Sequence, residues 1–230
     1  MSRLAIVIAA YNEASQLGSV LEKLPIELLG IEKIVTVVVD DGSKDTTAAI
    51  AADKGAIVLR HSINRGQGAA LQTGLDYAQR NGFTYAVTFD ADGQHDAGEI
   101  KDLLQPVLQN EVDIALGSRF LSKRAENIST TRTATLKAGV LFTRLISRIA
   151  VTDTHNGFRA FGPVALQKIQ IKQDKMEHAS EILEQIGFYG LRYKEVPVTI
   201  RYSEYSVTKG QKSSNAFRIA ANMIAYKFMV

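Results

Sequence analysis

Asp90 and Asp92 stand two residues apart at the end of a short apolar run, Tyr85–Phe89, and Gln94 follows two residues on. The run reads as a buried strand, so the three side chains fall on the turn at its carboxyl end. Two carboxylates and an amide oxygen on one turn suit a hard divalent cation of the Mg or Mn type. Such a cation suits a bound diphosphate. In open α/β sheets ligands bind outside the carboxyl ends of the strands, which is where this turn lies. A diphosphate-bearing donor is the first expectation.

Other chemistry-bearing groups fall at the ends of other strand-like runs. Ala10-Tyr11-Asn12-Glu13 follows the first run: Tyr11 can stack on a base and Glu13 can accept hydrogen bonds from a base or ribose, although Asn12 and Glu13 equally suit a helix cap. Asp40 and Asp41 end the second run. Adjacent acids repel unless they meet donors, and base or ribose N–H and O–H groups are such donors; capping by Asp41 or Ser43 is the alternative. Asn64–Ala70 is a glycine-rich turn that opens a helix, which fits a phosphate cradle or close helix–sheet contact. It is not the dinucleotide fingerprint, whose third glycine is here Leu71. Arg119 and Arg159 are natural phosphate partners, since guanidinium binds phosphate oxygens bidentately. Lys209 and Lys212 lie in a polar segment able to close over a phosphate. The four histidines lack metal-ligand spacing, and His95 reads as a loop residue near the site.

The elements that must position these groups are legible as strand–helix alternation. Strands are predicted at Leu4–Ala9, Ile34–Val39, Ala56–Leu59, Tyr85–Phe89 and Asp113–Leu116, nearly continuous in apolar character as parallel strands covered on both faces should be. Asp96-Ala97-Gly98-Glu99 has the spacing of a capping box. An α/β doubly wound sheet follows. Beyond residue 118 the rhythm breaks. Ser122–Thr135 reads as a loop, 133–150 as a basic amphipathic helix carrying Lys137, Arg144 and Arg148, and Asn156–Phe161 as a turn entering a strand. Lys175–Ile186 reads as a helix stopped by Gly187, Glu195–Tyr202 as an edge strand containing Pro197, and Ala216–Val230 as an apolar-rich helix.

The 230 residues suit one domain, 46% hydrophobic and 22% charged. The absence of cysteine excludes disulfides and thiolate metal sites. Neither a signal peptide nor a transmembrane run is read, which predicts a cytoplasmic protein, soluble or peripherally attached to the membrane. Residues 1–118 carry 9 Lys and Arg against 16 Asp and Glu, and residues 119–230 carry 18 against 8. An acidic half beside a basic half suggests a cation-binding half and an anion-facing half. Nucleic acid is not expected, because no aromatic–basic interleaving accompanies the basic residues. The oligomeric state is not legible.

Taken in order, Val7–Glu13, Val39-Asp-Asp-Gly-Ser43, Asn64–Gly68, Asp90-Ala-Asp-Gly-Gln-His95, Gly117-Ser-Arg119 and Asn156-Gly-Phe-Arg159 resemble a family 2 glycosyltransferase of the GT-A fold. Gln94, the Gly-Phe-Arg turn and Glu195–Arg201 narrow the resemblance to the dolichyl-phosphate mannose synthase and polyprenyl-phosphate glycosyltransferase branch. It implies a GT-A, mostly parallel sheet flanked by helices, with a carboxyl-terminal extension of amphipathic helices on the acceptor side: a single domain of nucleotide-sugar half 1–118 and acceptor half 119–230. It implies a donor held by Ala9, Tyr11, Glu13, Asp40, Asp41, Asp90 and Ala91, a Mg or Mn ion at Asp90, Asp92 and Gln94, and an acceptor phosphate at Arg119, Arg159 and Lys209. Asp90, Asp92, Arg119 and Arg159 would carry catalysis. The implied reaction is an inverting, metal-dependent transfer of a sugar from a UDP- or GDP-sugar to a polyprenyl phosphate at the cytoplasmic membrane face. An acceptor that arrives already ionised needs no general base, and the Glu-Asp base pair of many members has no counterpart here; Glu181 is the nearest candidate.

The chain departs from the family's pattern at three places. Ala9 replaces the usual proline, Gln67 the usual lysine of the glycine loop, and His155 and Asn156 replace smaller residues. The runner-up is a family 2 transferase acting on a saccharide hydroxyl in cell-surface polysaccharide synthesis. A haloacid-dehalogenase-type phosphatase is more distant, since its nucleophile motif wants Thr or Val where Gln94 stands. Sugar nucleotidyltransferases lack a match to their Arg- and Lys-bearing first loop, and a non-catalytic membrane-associated binder leaves the carboxylate turn without purpose.

Overall fold

The first apolar run becomes the middle of the sheet. A computed structural model describes residues 2–121, 125–126 and 149–201. Strand β1 (Arg3–Ala10) sends Leu4, Ile6 and Ile8 to one face and Ala5 and Val7 to the other, all fully buried. Burial of each large aliphatic side chain contributes about 1.5–3 kcal/mol, so a strand apolar on both faces is most stable between two helical layers.

Helices α1 (Leu17–Lys23), α2 (Thr47–Asp53) and α4 (Ile100–Leu108) cover the Leu4 face through Leu17, Val20, Ala51, Leu103 and Leu104. Helices α3 (Gln67–Arg80), α5 (Pro163–Lys168) and α6 (His178–Tyr189) cover the Val7 face through Leu71, Leu75, Leu166, Ile182 and Ile186. Gly74 lets α3 approach β1 closely, since a Cβ there would sit 2.2 Å from Val7 Cγ1.

Among the described residues the sheet has seven strands in the order β3-β2-β1-β4-β7-β5-β8. β2 (Lys33–Asp40), β3 (Ile57–Arg60), β4 (Tyr85–Asp90) and β5 (Ile114–Ser118) occupy the predicted runs to within two residues. β8 (Tyr193–Pro197) joins β5 in parallel, and β7 (Arg159–Phe161) runs antiparallel between β4 and β5. A second, two-stranded sheet pairs β6 (Ala125–Glu126) with β9 (Ile200–Arg201). The chain leaves β1 toward β2 on one side and returns to β4 on the other, so the crevice between their carboxyl ends is the topological switch point. Register aligns Ala10 with Asp40 and Ala9 with Asp90. The two acid-bearing turns therefore flank the end of β1.

Several expectations are corrected. The Lys175–Ile186 helix begins at His178, runs through Gly187 and ends at Gly190, whose φ of 60° supplies the left-handed cap. The Glu195–Tyr202 strand is split: Pro197 closes β8 at the sheet edge, and Ile200 and Arg201 join the second sheet instead. The capping box does not form, because Glu99 accepts hydrogen bonds from the Thr199 N–H and hydroxyl, each at 2.8 Å. Asp96 accepts from Gly98 N–H on Oδ1 as a local turn, at 3.0 Å, and its Oδ2 accepts from Arg201 Nη2 at 2.8 Å. Helix α5, starting with Pro163 after Gly162, was not anticipated. The predicted loop at 122–135 lies outside the described residues apart from the backbone of 125–126. The basic helix at 133–150 lies outside them up to residue 148, and Ile149 is buried in the core. The helix at 216–230, Lys209 and Lys212 also lie outside them. No helix among the described residues is long and apolar enough to cross a membrane.

Candidate active site

Three strand ends and their turns build one side of the crevice. The turn after β1 is clamped to the turn after β2: Asn12 N–H donates to Ser43 Oγ, Asn12 Oδ1 accepts from Lys44 N–H, and Glu13 N–H donates to Thr47 Oγ1, each at 2.9 Å. Asn12 takes a left-handed φ of 52° to do so. Glu13 is thereby fixed at the rim while Tyr11 stays exposed.

The adjacent acids diverge in use. Asp40 is fully buried and takes Ser43 N–H on Oδ1. Its Oδ2 has no aligned donor among the described residues, although Arg60 Nε lies 3.1 Å away. A buried carboxylate oxygen without a donor is costly unless a ligand supplies one. Asp41 instead accepts from Arg65 N–H (2.9 Å), Gly66 N–H (2.7 Å) and the His61 ring (2.6 Å). It holds the glycine-rich loop, and a donor role for it competes with three internal bonds.

Of that loop's N–H groups, those of Arg65, Gly66 and Ala69 are engaged inside the protein. Gly66 N–H is taken by Asp41 and Ala69 N–H by the Asp174 carbonyl. A Cβ at Gly66 would sit 2.3 Å from the Asp174 carbonyl oxygen, and one at Gly68 2.0 Å from that of Gln173. The glycines admit the chain before α6. Gln67, where the family's lysine usually stands, donates its amide to Asp90 Oδ1 at 3.0 Å.

Asp90 is gripped from both sides, since His95 Nε2 lies 2.9 Å from Oδ2. His95 is itself buried between Phe89 and Phe158, with ring centroids 5.4 and 5.0 Å away. Its Nδ1 has no partner among the described residues, so Nε2 carries the proton given to Asp90. Gly157 lies against this carboxylate, where a Cβ would come within 2.7 Å of both oxygens. Burial works against ionisation of Asp90, but the His95 hydrogen bond and the charges of His95, His178 and Arg159 outweigh it and hold the carboxyl below its usual range.

Asp92 has the opposite fate. Burial, the Asp90 charge and the Glu13 charge push it up to about 6, against a hydrogen bond from Gln94 N–H. The Gln94 amide also donates to Asp92 Oδ2 at 2.8 Å. Among the described residues no three His, Cys, Asp or Glu side chains are placed to hold a metal ion. The crowding of Asp90, Asp92 and Glu13 is nonetheless the donor chemistry a divalent cation relieves, and each engaged Asp90 oxygen keeps a second lone pair. By donor type, two carboxylates and the Gln94 amide oxygen suit such an ion.

The other side of the crevice is cationic. Arg119, just past β5, is buried with its Nε 2.6 Å and its N–H 3.2 Å from Asp153 Oδ2. Arg159, at the start of β7, is 2% exposed, and its Nη1 has no hydrogen-bond partner among the described residues. Burial draws its pKa down to about 10 against the charges of Asp90 and Asp153, so it stays a cation at neutral pH.

His178, on α6, is buried and donates from Nδ1 to the Lys175 carbonyl at 2.6 Å. Burial and then the Arg159 charge lower its pKa to about 4. An unfolded histidine titrates near 6.5, so the folded state resists protonation, and this contribution to stability is lost as pH falls from about 6.5 through 4. Denaturant titrations at stepped pH should show His178→Asn, which keeps the donor to Lys175, with a shallower acid slope than wild type over that window. An identical slope would remove His178 from the account. Sequence reading placed His95 near the site and Gln67 in the glycine loop but gave neither a role at Asp90, and it missed His178 and Asp153. The flanking Phe89 and Phe158 were the available signal for His95.

The model of the family described as Glycosyl transferase family 2 matches residues 5–169. The chain is 31% identical over 242 residues to the UDP-N-acetylglucosamine–dolichyl-phosphate N-acetylglucosaminyltransferase of Methanococcus voltae, covering 96% of this chain and 95% of that one. It is 29% identical over 217 residues to the polyprenol monophosphomannose synthase of Mycolicibacterium smegmatis, covering 90% and 80%. Among solved structures, glucosyl-3-phosphoglycerate synthase from Mycobacterium tuberculosis in complex with Mn2+ and UDP-glucose superposes with a TM-score of 0.71 at 18% identity, over 97% of this chain and 77% of that one. The shared feature is the GT-A fold.

Proposed function

The chain belongs to glycosyl transferase family 2, and on that premise we propose that it moves a sugar from a UDP- or GDP-sugar to a polyprenyl phosphate at the cytoplasmic membrane face, with inversion. The observation that carries the acceptor is Arg159, a buried cation with an unpartnered N–H, set across from the carboxylate turn at the switch point. An anion is what such a group requires. The names of the two relatives, each acting on a lipid-linked phosphate, support the same class.

In this reading Asp40 Oδ2 receives a nucleobase or ribose donor, with Tyr11, Glu13, Ala9 and Ala91 lining the donor's place. Asp41 serves by holding the glycine loop. Asp92, Gln94 and Asp90 would hold Mg or Mn, which neutralises charge gathering on the departing diphosphate. Arg119 and Arg159 orient the acceptor phosphate, and Lys209 is proposed to close over it. An oxygen of that phosphate forms the new bond to the anomeric carbon. The bond from that carbon to the nucleoside diphosphate breaks, and its electron pair leaves with the diphosphate. With a second phosphate pKa near 6 the nucleophile is already ionised and no base is needed. A hydroxyl acceptor does need one. Glu181, the nearest candidate by sequence, spends its carboxylate on the N–H groups of Lys172 and Gln173. Peripheral membrane contact is assigned to the basic segment 133–150 and to 216–230.

Nucleoside diphosphate release from a panel of UDP- and GDP-sugars, with Mn or Mg, tests this directly. One donor should respond to a short-chain polyprenyl phosphate by about tenfold or more. Release stimulated only by a saccharide would keep the transferase and discard the lipid acceptor.

A further inference from the structure

Glu195 reaches out of β8 to a loop 43 residues earlier in the chain, and everything it touches there leads to Arg119. Its Oε1 accepts from Thr152 N–H at 2.8 Å, the Thr152 hydroxyl at 2.9 Å and Asp153 N–H at 3.1 Å, while Oε2 shares the Thr152 N–H at 2.9 Å. Three donors on two consecutive residues thus converge on one carboxylate. Residues 149–156 belong to no helix or strand, so these bonds replace the backbone pairing that a regular element would supply.

The direction of the hydrogen bonds is fixed by the charge at their end. A carboxylate only accepts, so the Thr152 hydroxyl must give its proton to Glu195. Ser118 must then donate across the 2.6 Å contact to Thr152 Oγ1, and Ser118 Oγ in turn accepts from Phe120 N–H at 3.2 Å. The chain brackets Arg119 from residue 118 to residue 120. From the other side, Asp153 holds Arg119 at both Nε and backbone N–H, while its Oδ1 takes His155 N–H at 3.3 Å. Glu195 is seated on a strand whose register is set by β5 itself, opposite Leu116, so it ties the loop to the same strand that delivers Arg119.

We propose that Glu195 is a positioning residue for acceptor transfer: it fixes the backbone of Thr152 and Asp153 so that Asp153 presents the Arg119 guanidinium toward the crevice. This rests on the acceptor-phosphate role given to Arg119 above. Glu195 touches neither donor nor acceptor. Its removal frees the loop, lets Asp153 and Arg119 shift together, and leaves the carboxylate turn after β4 untouched.

Glu195→Ala and Glu195→Gln in the full chain test it. Misplacing one group of an oriented pair costs about 10- to 100-fold, so Glu195→Ala should raise the KM for polyprenyl phosphate by about that factor. The affinity for nucleoside diphosphate with Mn should stay unchanged. Glu195→Gln should recover part of the loss, since its amide oxygen can keep the three Oε1 bonds while its NH2 faces Thr152 N–H. Equal loss of donor and acceptor binding, or loss of neither, overturns the proposal. Phenylglyoxal labelling of Arg119, read by peptide mass mapping, gives a second measure without any acceptor. Labelling should be about tenfold faster in Glu195→Ala, because a buried, paired guanidinium becomes accessible; an unchanged rate overturns the proposal. If Glu195→Ala fails to fold, Glu195→Gln is read by the same two criteria. A wild type that ignores polyprenyl phosphate sinks the acceptor assignment, and the labelling rates still decide whether Glu195 holds Arg119.

Discussion

Asp92→Asn is expected to lower sugar transfer by about a thousandfold while leaving the fold intact, the scale of several kcal/mol of charge stabilisation lost from the departing diphosphate. The site's own electrostatics give the reason. Asp92 is pushed up to about 6 by burial and by Asp90 and Glu13. A carboxyl whose folded pKa exceeds its unfolded value near 3.9 stabilises the fold below that value, and the contribution is lost as pH rises through about 6. The loss is about 2–3 kcal/mol at most. At neutral pH the carboxylate turn therefore carries an electrostatic strain that a bound Mg or Mn would relieve by mass action. Wild type should melt at a higher temperature when Mn is added, and Asp92→Asn should lack that rise and keep only about a thousandth of the turnover. A variant that keeps Mn-dependent turnover would contradict the assignment.

Arg159→Met should separate acceptor from donor. Of the two buried arginines, Arg159 is the cleaner probe, because removing Arg119 would strip Asp153 of its ion pair and leave a buried charge, at about 3–5 kcal/mol. Without Arg159, Asp153 keeps Arg119, and Asp90 keeps Gln67 and His95. The fold should survive. Losing a desolvated charge partner costs about 2–5 kcal/mol, so transfer to polyprenyl phosphate should fall by about two to three powers of ten. Nucleoside diphosphate affinity, measured by calorimetry, should move little. Undiminished transfer would take Arg159 out of the acceptor site.

The sheet was legible because its strands are buried on both faces: Leu4–Ile8 or Tyr85–Phe89 cannot be read as half-exposed elements. The placing of Asp40 and Asp90 at strand ends followed from those runs alone. What sequence could not give depends on contacts between distant residues. Asp96 and Glu99 have capping-box spacing, yet Glu99 is drawn to Thr199, 100 residues away, where two donors await it. β7 is legible as the strand entered through Asn156–Phe161, but its antiparallel insertion between β4 and β5, which buries Arg159, is a tertiary arrangement that so short a run does not reveal. Asp41 looked like a second donor-binding acid because adjacent carboxylates need partners; those partners are the N–H groups of its own glycine loop. His95 lacked metal-ligand spacing, and its actual part is to hold Asp90 from within an aromatic pocket.

Membership of family 2 removes the phosphatase alternative, and transfer to a lipid phosphate is the central claim to test. The most direct measurement is mass spectrometry of the lipid extract after incubating the protein with the responsive nucleotide-sugar, Mn and a short-chain polyprenyl phosphate. A lipid carrying one sugar on its phosphate, formed in step with nucleoside diphosphate, is the predicted result. Nucleoside diphosphate accompanied only by free sugar, or by a glycosylated saccharide, would contradict transfer to a lipid phosphate.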